Sequence, residues 1–381
     1  MQENIIPEGT RDLLGDECSV REELIKNVKS VFTKWGYDEV ITPTVEYYNT
    51  FHYKTQSLKE EEMYKFFDSK GRILVLRPDM TVPIARVVAT KLKDHKTPIR
   101  LRYESNVYRV NESLGGKRNE YTDCGVELIG LDSNSSDLEI LITALEVLKV
   151  ANVEEYKLEI GDINFFNSAI NTLGVKEEEK IRLAELIEKK SLKALEDFLE
   201  QLDIEEDKKQ FFKRLPWLFG GKSILEECKS LTFNEGMNAS LKYLEDSYNK
   251  LERLGFGGFI TLDLGMVPRL DYYTGIIFRG YVQGVGNTVL SGGRYDNLIK
   301  VFGRDEKAIG FSINIDCLIQ LVKHESVSHE NKFAITFNKD NETLAMTKAL
   351  EIIENGGMVK MFPSEEVNKV IVAGKGEKNG N

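Results

Sequence analysis

The chain has 381 residues, of which 41% are hydrophobic and 30% charged, a composition typical of a globular protein. This length suits two or three domains. The formal net charge of −11 argues against a strongly basic nucleic-acid-binding protein, although a local basic patch can still bind phosphate.

The sequence offers no candidate membrane helix, because the nearest apolar run, 140–153, is interrupted by Glu146 and Lys149. Its first residues have no signal-peptide pattern. The four cysteines are widely separated and the four histidines are scattered, so we assign no metal site and no catalytic histidine. Free thiols indicate a reducing compartment, which predicts a cytoplasmic protein.

The first half of the chain alternates predicted helices and strands. Leu24, Val28 and Phe32 recur at helical spacing, which predicts a helix over 20–35 that Gly36 terminates. Strands are predicted at 38–44, 63–67, 73–76, 98–103, 105–109, 121–129 and 156–160, with a helix at 137–150.

Polar residues stand at several of the predicted element ends. Thr81 is the predicted N-cap of a helix that follows Asp79, so both residues have a capping role as an alternative to a binding role. Asp123 and Glu127 are four residues apart on one strand and therefore face the same side. Two acids on one face favour binding of a cation, such as an ammonium or an imidazolium.

Two segments differ from this main pattern. Residues from about 165 to 255 are dense in Glu and Lys and predict a helical insertion between strands of the main sheet. Residues 332–381 predict a short β-α-β-β segment of about 50 residues, which is thin for an independent core. We therefore expect a main domain over 1–323 and this separate C-terminal segment.

The stretch 261–296 is the most informative part of the chain. Adjacent Tyr272 and Tyr273 follow Asp271, then strands are predicted at 275–282 and 287–290 around a glycine-rich turn. The sequence Gly-Gly-Arg-Tyr-Asp at 292–296 is predicted to form a loop, followed by a helix at 295–302, a strand at 308–315 and a helix at 317–323. An ordinary core hairpin is the alternative interpretation.

The sequences LDYYTG and SGGRYDNL in this stretch resemble the histidine-recognising signature of the histidyl-tRNA synthetase family. The early helix, strand and Pro43 resemble motif 1 of class II synthetases, and the strands around Arg109 resemble motif 2. The resemblance covers about 5–323. It implies an α+β fold, in which an antiparallel sheet is flanked by helices.

The resemblance also implies roles for individual residues in a histidine pocket. Asp79, Thr81 and Asp123 would bind the ammonium, and Arg109 would pair with the carboxylate. A surface strand arginine is the alternative for Arg109. The imidazole would be held, and the pocket wall formed, by Glu127, Tyr272 and Tyr273. The resemblance also implies a place for Arg294 in this pocket, and a structural ion pair is its alternative role.

The chain departs from the family where ATP would bind. Asn111 and Asn119 stand in motif 2 where an acid and an arginine are expected, and Cys317 replaces the motif 3 arginine. A neutral thiol cannot substitute for a guanidinium on phosphate. Pro268 stands where the histidine signature has an arginine, and the C-terminal segment has about half the length of an anticodon-binding domain.

Retained amino-acid recognition without ATP activation resembles the regulatory subunits of ATP phosphoribosyltransferase. This resemblance implies a non-catalytic protein without cofactors that serves histidine biosynthesis and its feedback control by histidine. It also implies a homodimer core and a hetero-octamer with the short-form catalytic subunit, without tRNA. The alternatives are a divergent active histidyl-tRNA synthetase and another synthetase-like module, such as a stress sensor or RNA-binding protein.

Overall fold

The computed structural model describes residues 6–55, 58–111, 118–153, 155–267, 273–322 and 332–374. The chain forms two compact units, Met1–Val322 and Lys323–Asn381. In the described residues, no helix has the length and apolar character needed to cross a membrane.

The first unit alternates helices with strands. Its helices are α1 (Asp16–Lys34), α2 (Tyr48–Thr55), α3 (Thr81–Thr90), α4 (Asn134–Val150), α5 (Ile163–Ile170), α6 (Glu177–Glu188), α7 (Leu192–Gln201), α8 (Glu206–Arg214), α9 (Ile224–Lys229) and α10 (Glu235–Arg253). Its strands are β1 (Asp38–Glu39), β2 (Val45–Tyr47), β3 (Lys65–Phe67), β4 (Ile73–Leu76), β5 (Ile99–Tyr108), β6 (Glu120–Ile129), β7 (Tyr156–Asp162), β8 (Phe219–Gly220), β9 (Ile260–Asp263), β10 (Ile276–Val282), β11 (Leu290–Arg294) and β12 (Ala308–Asn314).

Across the described chain, nine of these strands form one sheet in the order β1-β5-β6-β12-β11-β10-β7-β9-β8. The β1–β5 and β7–β9 pairs are parallel, and the other pairs are antiparallel. A small sheet has the order β2-β4-β3. An antiparallel sheet flanked by helices is the predicted fold class, which is confirmed.

Helix α1 covers the centre of the large sheet. It buries Leu24, Val28 and Phe32 at helical spacing, and the Phe32 ring meets Phe311 of β12 edge-on at a centroid distance of 5.9 Å. Full burial of such a side chain contributes about 2 kcal/mol. The helix begins before the predicted residue 20, and Asp16 in its first turn favours that start through the helix dipole.

The hairpin prediction for the central stretch is partly wrong. Gly292 and Gly293 lie inside β11, between β10 and β12, and not in a loop. A Cβ on Gly292 would lie 2.4 Å from the Gly310 carbonyl oxygen, so the glycine lets neighbouring strands approach. These glycines therefore serve the sheet and not a turn.

Other predicted elements are shorter than the sequence suggests. The predicted strand 38–44 contains β1, and the predicted helix 295–302 contains the 3-10 turn Ile299–Phe302. The predicted helix 317–323 overlaps the 3-10 turn Ile315–Cys317 only at Cys317 within the described residues. The predicted helical insertion, about 165–255, contains most of α5 and all of α6–α10, but it also contains β8 of the large sheet and is therefore not entirely helical.

The second unit has the predicted β-α-β-β order. It consists of β13 (Lys332–Phe337), α11 (Glu342–Glu354), β14 (Met358–Pro363) and β15 (Ile371–Gly374), with β13 between the other two strands. Its small core is formed by Ile335, Phe337, Ala345 and Ala349.

Candidate functional site

A cleft of about 930 Å³ lies over the middle strands of the large sheet. Its lining includes Arg109, Tyr121, Asp123, Tyr273 and Ser312. Both its volume and its mixture of polar and aromatic residues are typical of sites for small molecules.

The helical insertion also reaches this cleft. Glu188, the last residue of α6, and the following Lys189 line it, opposite residues of the β10–β11 turn such as Asn287. The cleft is therefore bounded by the sheet and by the insertion.

Three buried carboxyl groups and one arginine gather at and beneath the cleft. Asp79, Asp123 and Glu127 are each less than 8% exposed. Arg109 is close enough to lower the pKa values of Asp79 and Asp123, which burial raises. Its Nε donates a hydrogen bond to the Pro78 carbonyl at 2.7 Å, which orients the guanidinium. Arg109 is thus one cation beside two desolvated acids, Asp79 and Asp123, which leaves capacity for a second cation.

Of these three acids, Asp123 lines the cleft. Burial raises its pKa to about 6, against the opposing effects of the Arg109 charge and a hydrogen bond from Ser312. Asp123 and Glu127 both lie on β6, where they pair with Asn314 and Gly310 of β12. This register places them on the same face, as predicted.

Glu127 lies deeper and is almost completely buried. The Tyr295 hydroxyl donates to its Oε2 at 2.5 Å, and the Thr81 side chain also hydrogen-bonds to this carboxyl group. Burial raises the pKa of Glu127 to about 8 in spite of these hydrogen bonds, which lower it. The sequence did not single out Tyr295 as a site residue.

Asp79 takes the capping role that was predicted for Thr81. Its Oδ1 accepts the backbone N–H of Val82 at 3.0 Å, whereas Met80 occupies the N-cap position of α3 and Thr81 is already helical. Asp79 therefore has the capping role that the sequence left open, and its binding role stays a prediction.

Of the two predicted tyrosines, Tyr273 is among the described residues. Tyr273 lines the cleft and rests on β11, where a Cβ on Gly293 would lie 2.8 Å from its ring. Tyr272 lies outside the described residues. Tyr121 also lines the cleft, and sequence reasoning missed it because a single tyrosine on a strand resembles a core residue.

Arg294 has a structural role. Its guanidinium is 9% exposed and forms an ion pair with Asp137 of α4, with a further bond to Ser136 Oγ at 2.8 Å. Asp296 lies 3.2 Å from its Nη1. Successive strand residues point to opposite faces of a sheet, so the Arg294 side chain lies on the face opposite to the one where Tyr273 packs on Gly293.

Two of the residues that depart from the synthetase pattern line the cleft, and Pro268 lies outside the described residues. Cys317 and Asn111 are these two residues, and burial together with the Asp316 charge raises the pKa of the Cys317 thiol. Asn119 is structural, because its Nδ2 donates to the Glu8 carbonyl at 3.1 Å. In the described chain, no group of three metal-ligating side chains is suited to hold an ion.

The fold is that of a class II synthetase-like protein. The histidyl-tRNA synthetase family model matches residues 9–318. The chain is 39% identical over 378 residues to the ATP phosphoribosyltransferase regulatory subunit of Clostridium acetobutylicum, covering 97% of this chain and 93% of that protein. A Clostridium kluyveri protein of the same name is 41% identical over 366 residues, covering 95% and 94%.

Solved structures agree with these relatives. A protein described as an ATP phosphoribosyltransferase regulatory subunit/histidyl-tRNA synthetase from Bacillus halodurans superposes with a TM-score of 0.85 at 33% identity, covering 96% of this chain and 94% of the other. Histidyl-tRNA synthetase from Nostoc shares the fold, with a TM-score of 0.76, 19% identity and coverage of 96% and 87%. The chain belongs to the family of ATP phosphoribosyltransferase regulatory subunits, within the larger histidyl-tRNA synthetase family.

Proposed function

We propose that the cleft binds free histidine and that this binding controls a catalytic partner. Membership in the family makes the chain a non-catalytic regulatory subunit that serves histidine biosynthesis. The observation that carries the histidine proposal is the group of buried acids around Arg109 at the cleft.

The amino-acid end of the ligand matches one side of this group. Asp79 and Asp123 offer negative charge to an ammonium, and Arg109 offers a guanidinium to a carboxylate. A zwitterionic amino acid carries both an ammonium and a carboxylate. In the complex, the acids therefore face the ammonium and the arginine faces the carboxylate.

The imidazole end matches Glu127 and its neighbours. At neutral pH, Glu127 with a pKa of about 8 keeps its proton in the empty protein. A neutral imidazole can accept that proton or a hydrogen bond from it, so binding requires no net proton uptake. Thr81 and Tyr295 hold the Glu127 carboxyl group, and Tyr273 forms an aromatic wall. Thr81 thus serves the imidazole end and not the ammonium.

The cleft residues around Cys317 do not support ATP activation. Clamping the triphosphate for adenylate formation requires cations, and Cys317 supplies a neutral thiol at the position of the family arginine. Arg118 also lines the cleft and remains a cation at neutral pH, although burial and the nearby Arg11 charge lower its pKa, so it favours ATP binding. The divergent synthetase is therefore the second candidate, and it predicts ATP binding.

The proposed partners are a second copy of this chain and a short-form catalytic subunit, which condenses ATP with phosphoribosyl pyrophosphate. Exposed apolar residues support self-association, since Ile41 in the motif 1 segment is 84% exposed and Phe67 of β3 is 71% exposed. The hetero-octamer and the cytoplasmic location are part of the same proposal. Histidine controls the assembly if it binds one state more tightly than another.

Reconstitution tests this function. We expect the chain to form a complex with a short-form catalytic subunit, seen by light scattering, and to be required for phosphoribosyl-ATP formation. Histidine should inhibit the wild-type complex, and the Asp123→Asn complex should need more histidine for the same inhibition. Failure to form the complex would contradict the partner, whereas equal inhibition of both complexes would contradict the site.

A further inference from the structure

Glu188 connects three parts of the main unit with one side chain. It is the last residue of α6 in the helical insertion, and its Oε1 lies 2.5 Å from Nη2 of Arg279 on β10. Its Oε2 accepts the backbone N–H of Val267 at 3.1 Å. The insertion, the sheet and the segment after β9 therefore meet at one carboxylate.

All three connected parts contribute to the cleft. Glu188, Arg279 and Met266, the residue before Val267, line it together with Tyr273. Met266 also rests on β7, where a Cβ on Gly161 would lie 3.2 Å from its Cβ. Displacement of Glu188 would thus free Val267 and change the cleft wall at Met266.

A second ion pair between the insertion and the sheet provides a comparison. Lys190 Nζ lies 3.4 Å from Asp263 Oδ2, but Lys190 is 46% exposed and neither residue lines the cleft. The Glu188 side chain is 18% exposed, and only Glu188 of these two insertion residues also binds a backbone N–H beside the cleft. Attachment of the insertion and shaping of the cleft are therefore separable.

We propose that Glu188 is a positioning residue that holds the Met266–Val267 wall for the ligand and couples the helical insertion to ligand binding. The inference rests on the proposed histidine function and extends it. Because coupling is reciprocal, a ligand that needs this wall also holds the insertion against the sheet. The insertion then becomes part of the histidine response.

The test uses the full chain with four variants. Glu188→Ala removes both interactions, whereas Glu188→Gln removes the ion pair and keeps an oxygen for Val267 N–H. Glu185→Gln is the matched control, because in the described part of the chain Glu185 on the same helix pairs with Arg182 of that helix, at 3.2 Å. Lys190→Gln is the control for attachment of the insertion.

Two measurements are made on each protein. Hydrogen–deuterium exchange at the Val267 amide, read from overlapping peptides without ligand, tests the tether. Calorimetric titration with histidine tests the coupling, and thermal unfolding confirms that each variant is folded. We expect Glu188→Ala to accelerate Val267 exchange and weaken histidine binding by roughly tenfold, Glu188→Gln to have a smaller effect on exchange, and both controls to match the wild type.

The outcomes separate this inference from the function on which it rests. If the wild type binds histidine and Glu188→Ala changes neither quantity, the positioning role is wrong. If Lys190→Gln has the same effect as Glu188→Ala, general attachment of the insertion is responsible and Glu188 has no special role. If the wild type itself does not bind histidine, the proposed function fails, and coupling to histidine fails with it.

Discussion

The hydroxyl of Tyr295 donates a hydrogen bond to Oε2 of Glu127, 168 residues away, at 2.5 Å. The strand between them, β12, leaves room for this contact because a Cβ on Gly310 would lie 1.8 Å from that oxygen. Burial raises the pKa of Glu127 to about 8, so the carboxyl group is protonated near neutral pH.

The buried Glu127 makes the empty protein less stable as pH rises. The unfolded state loses the proton near the usual pKa of 4.5, while the folded state keeps it up to about 8. The folded state thus binds the extra proton between these values, so stability falls there as pH increases. We expect Glu127→Gln to gain about 1 kcal/mol per pH unit over the wild type between about pH 5 and about pH 8.

Chemical denaturation in histidine-free buffers measures this difference. Subtracting the two free energies of unfolding at each pH removes the titration of the other groups, which both proteins share. A difference that stays constant between pH 5 and pH 9 would show that Glu127 ionises normally.

Asp123 gives histidine binding a pH dependence of its own. Burial raises the pKa of this carboxyl to about 6, and below that value it no longer offers charge to an ammonium. Asp123→Asn should weaken histidine binding by about 10- to 100-fold at pH 7.5 and by much less at pH 5. The ligand imidazole titrates near 6.5, but the ratio of the two affinities cancels this contribution. An affinity ratio independent of pH would contradict the role of Asp123.

Arg109 should recognise the ligand carboxylate. We expect Arg109→Met to weaken histidine binding by about 10- to 100-fold, because a charge-assisted hydrogen bond is lost. Histidinol lacks the carboxylate and therefore serves as the control ligand. The wild type should prefer histidine over histidinol, and the variant should lose this preference. A preference that survives in Arg109→Met would assign the carboxylate to another residue.

Arg294 should affect stability and not binding. Arg294→Met leaves the Asp137 carboxyl buried without its ion pair and should cost about 3 kcal/mol of unfolding free energy. Asp197→Asn, which breaks the exposed Lys193–Asp197 pair, is the control and should leave stability nearly unchanged. Denaturant unfolding measures both variants. A loss of histidine affinity in a folded Arg294→Met protein would contradict its structural role.

The sequence predicted what depends on local periodicity. The helical spacing of Leu24, Val28 and Phe32 and the four-residue spacing of Asp123 and Glu127 each specify a face without knowledge of the fold. The α+β class followed from the resemblance. The two spacings specify the correct faces because the burial of one face of an element determines which of its residues point inward.

The sequence could not predict features that depend on neighbouring strands. Gly292 and Gly293 suggest a turn, yet they lie in β11. Glycine is needed there because β12 and the Tyr273 ring approach too closely for a side chain. Tyr295 and Glu188 reach the site from distant segments, and no local pattern distinguishes them from a core tyrosine or a solvated glutamate.

Calorimetric titration of the purified chain with histidine, and separately with ATP–magnesium, tests the central claim most directly. We predict that histidine binds, that Asp79→Asn greatly weakens this binding, and that ATP–magnesium gives no binding heat. Binding of both ligands with pyrophosphate exchange would contradict the regulatory account in favour of a synthetase. No histidine binding, or equal binding by Asp79→Asn, would contradict the proposed pocket.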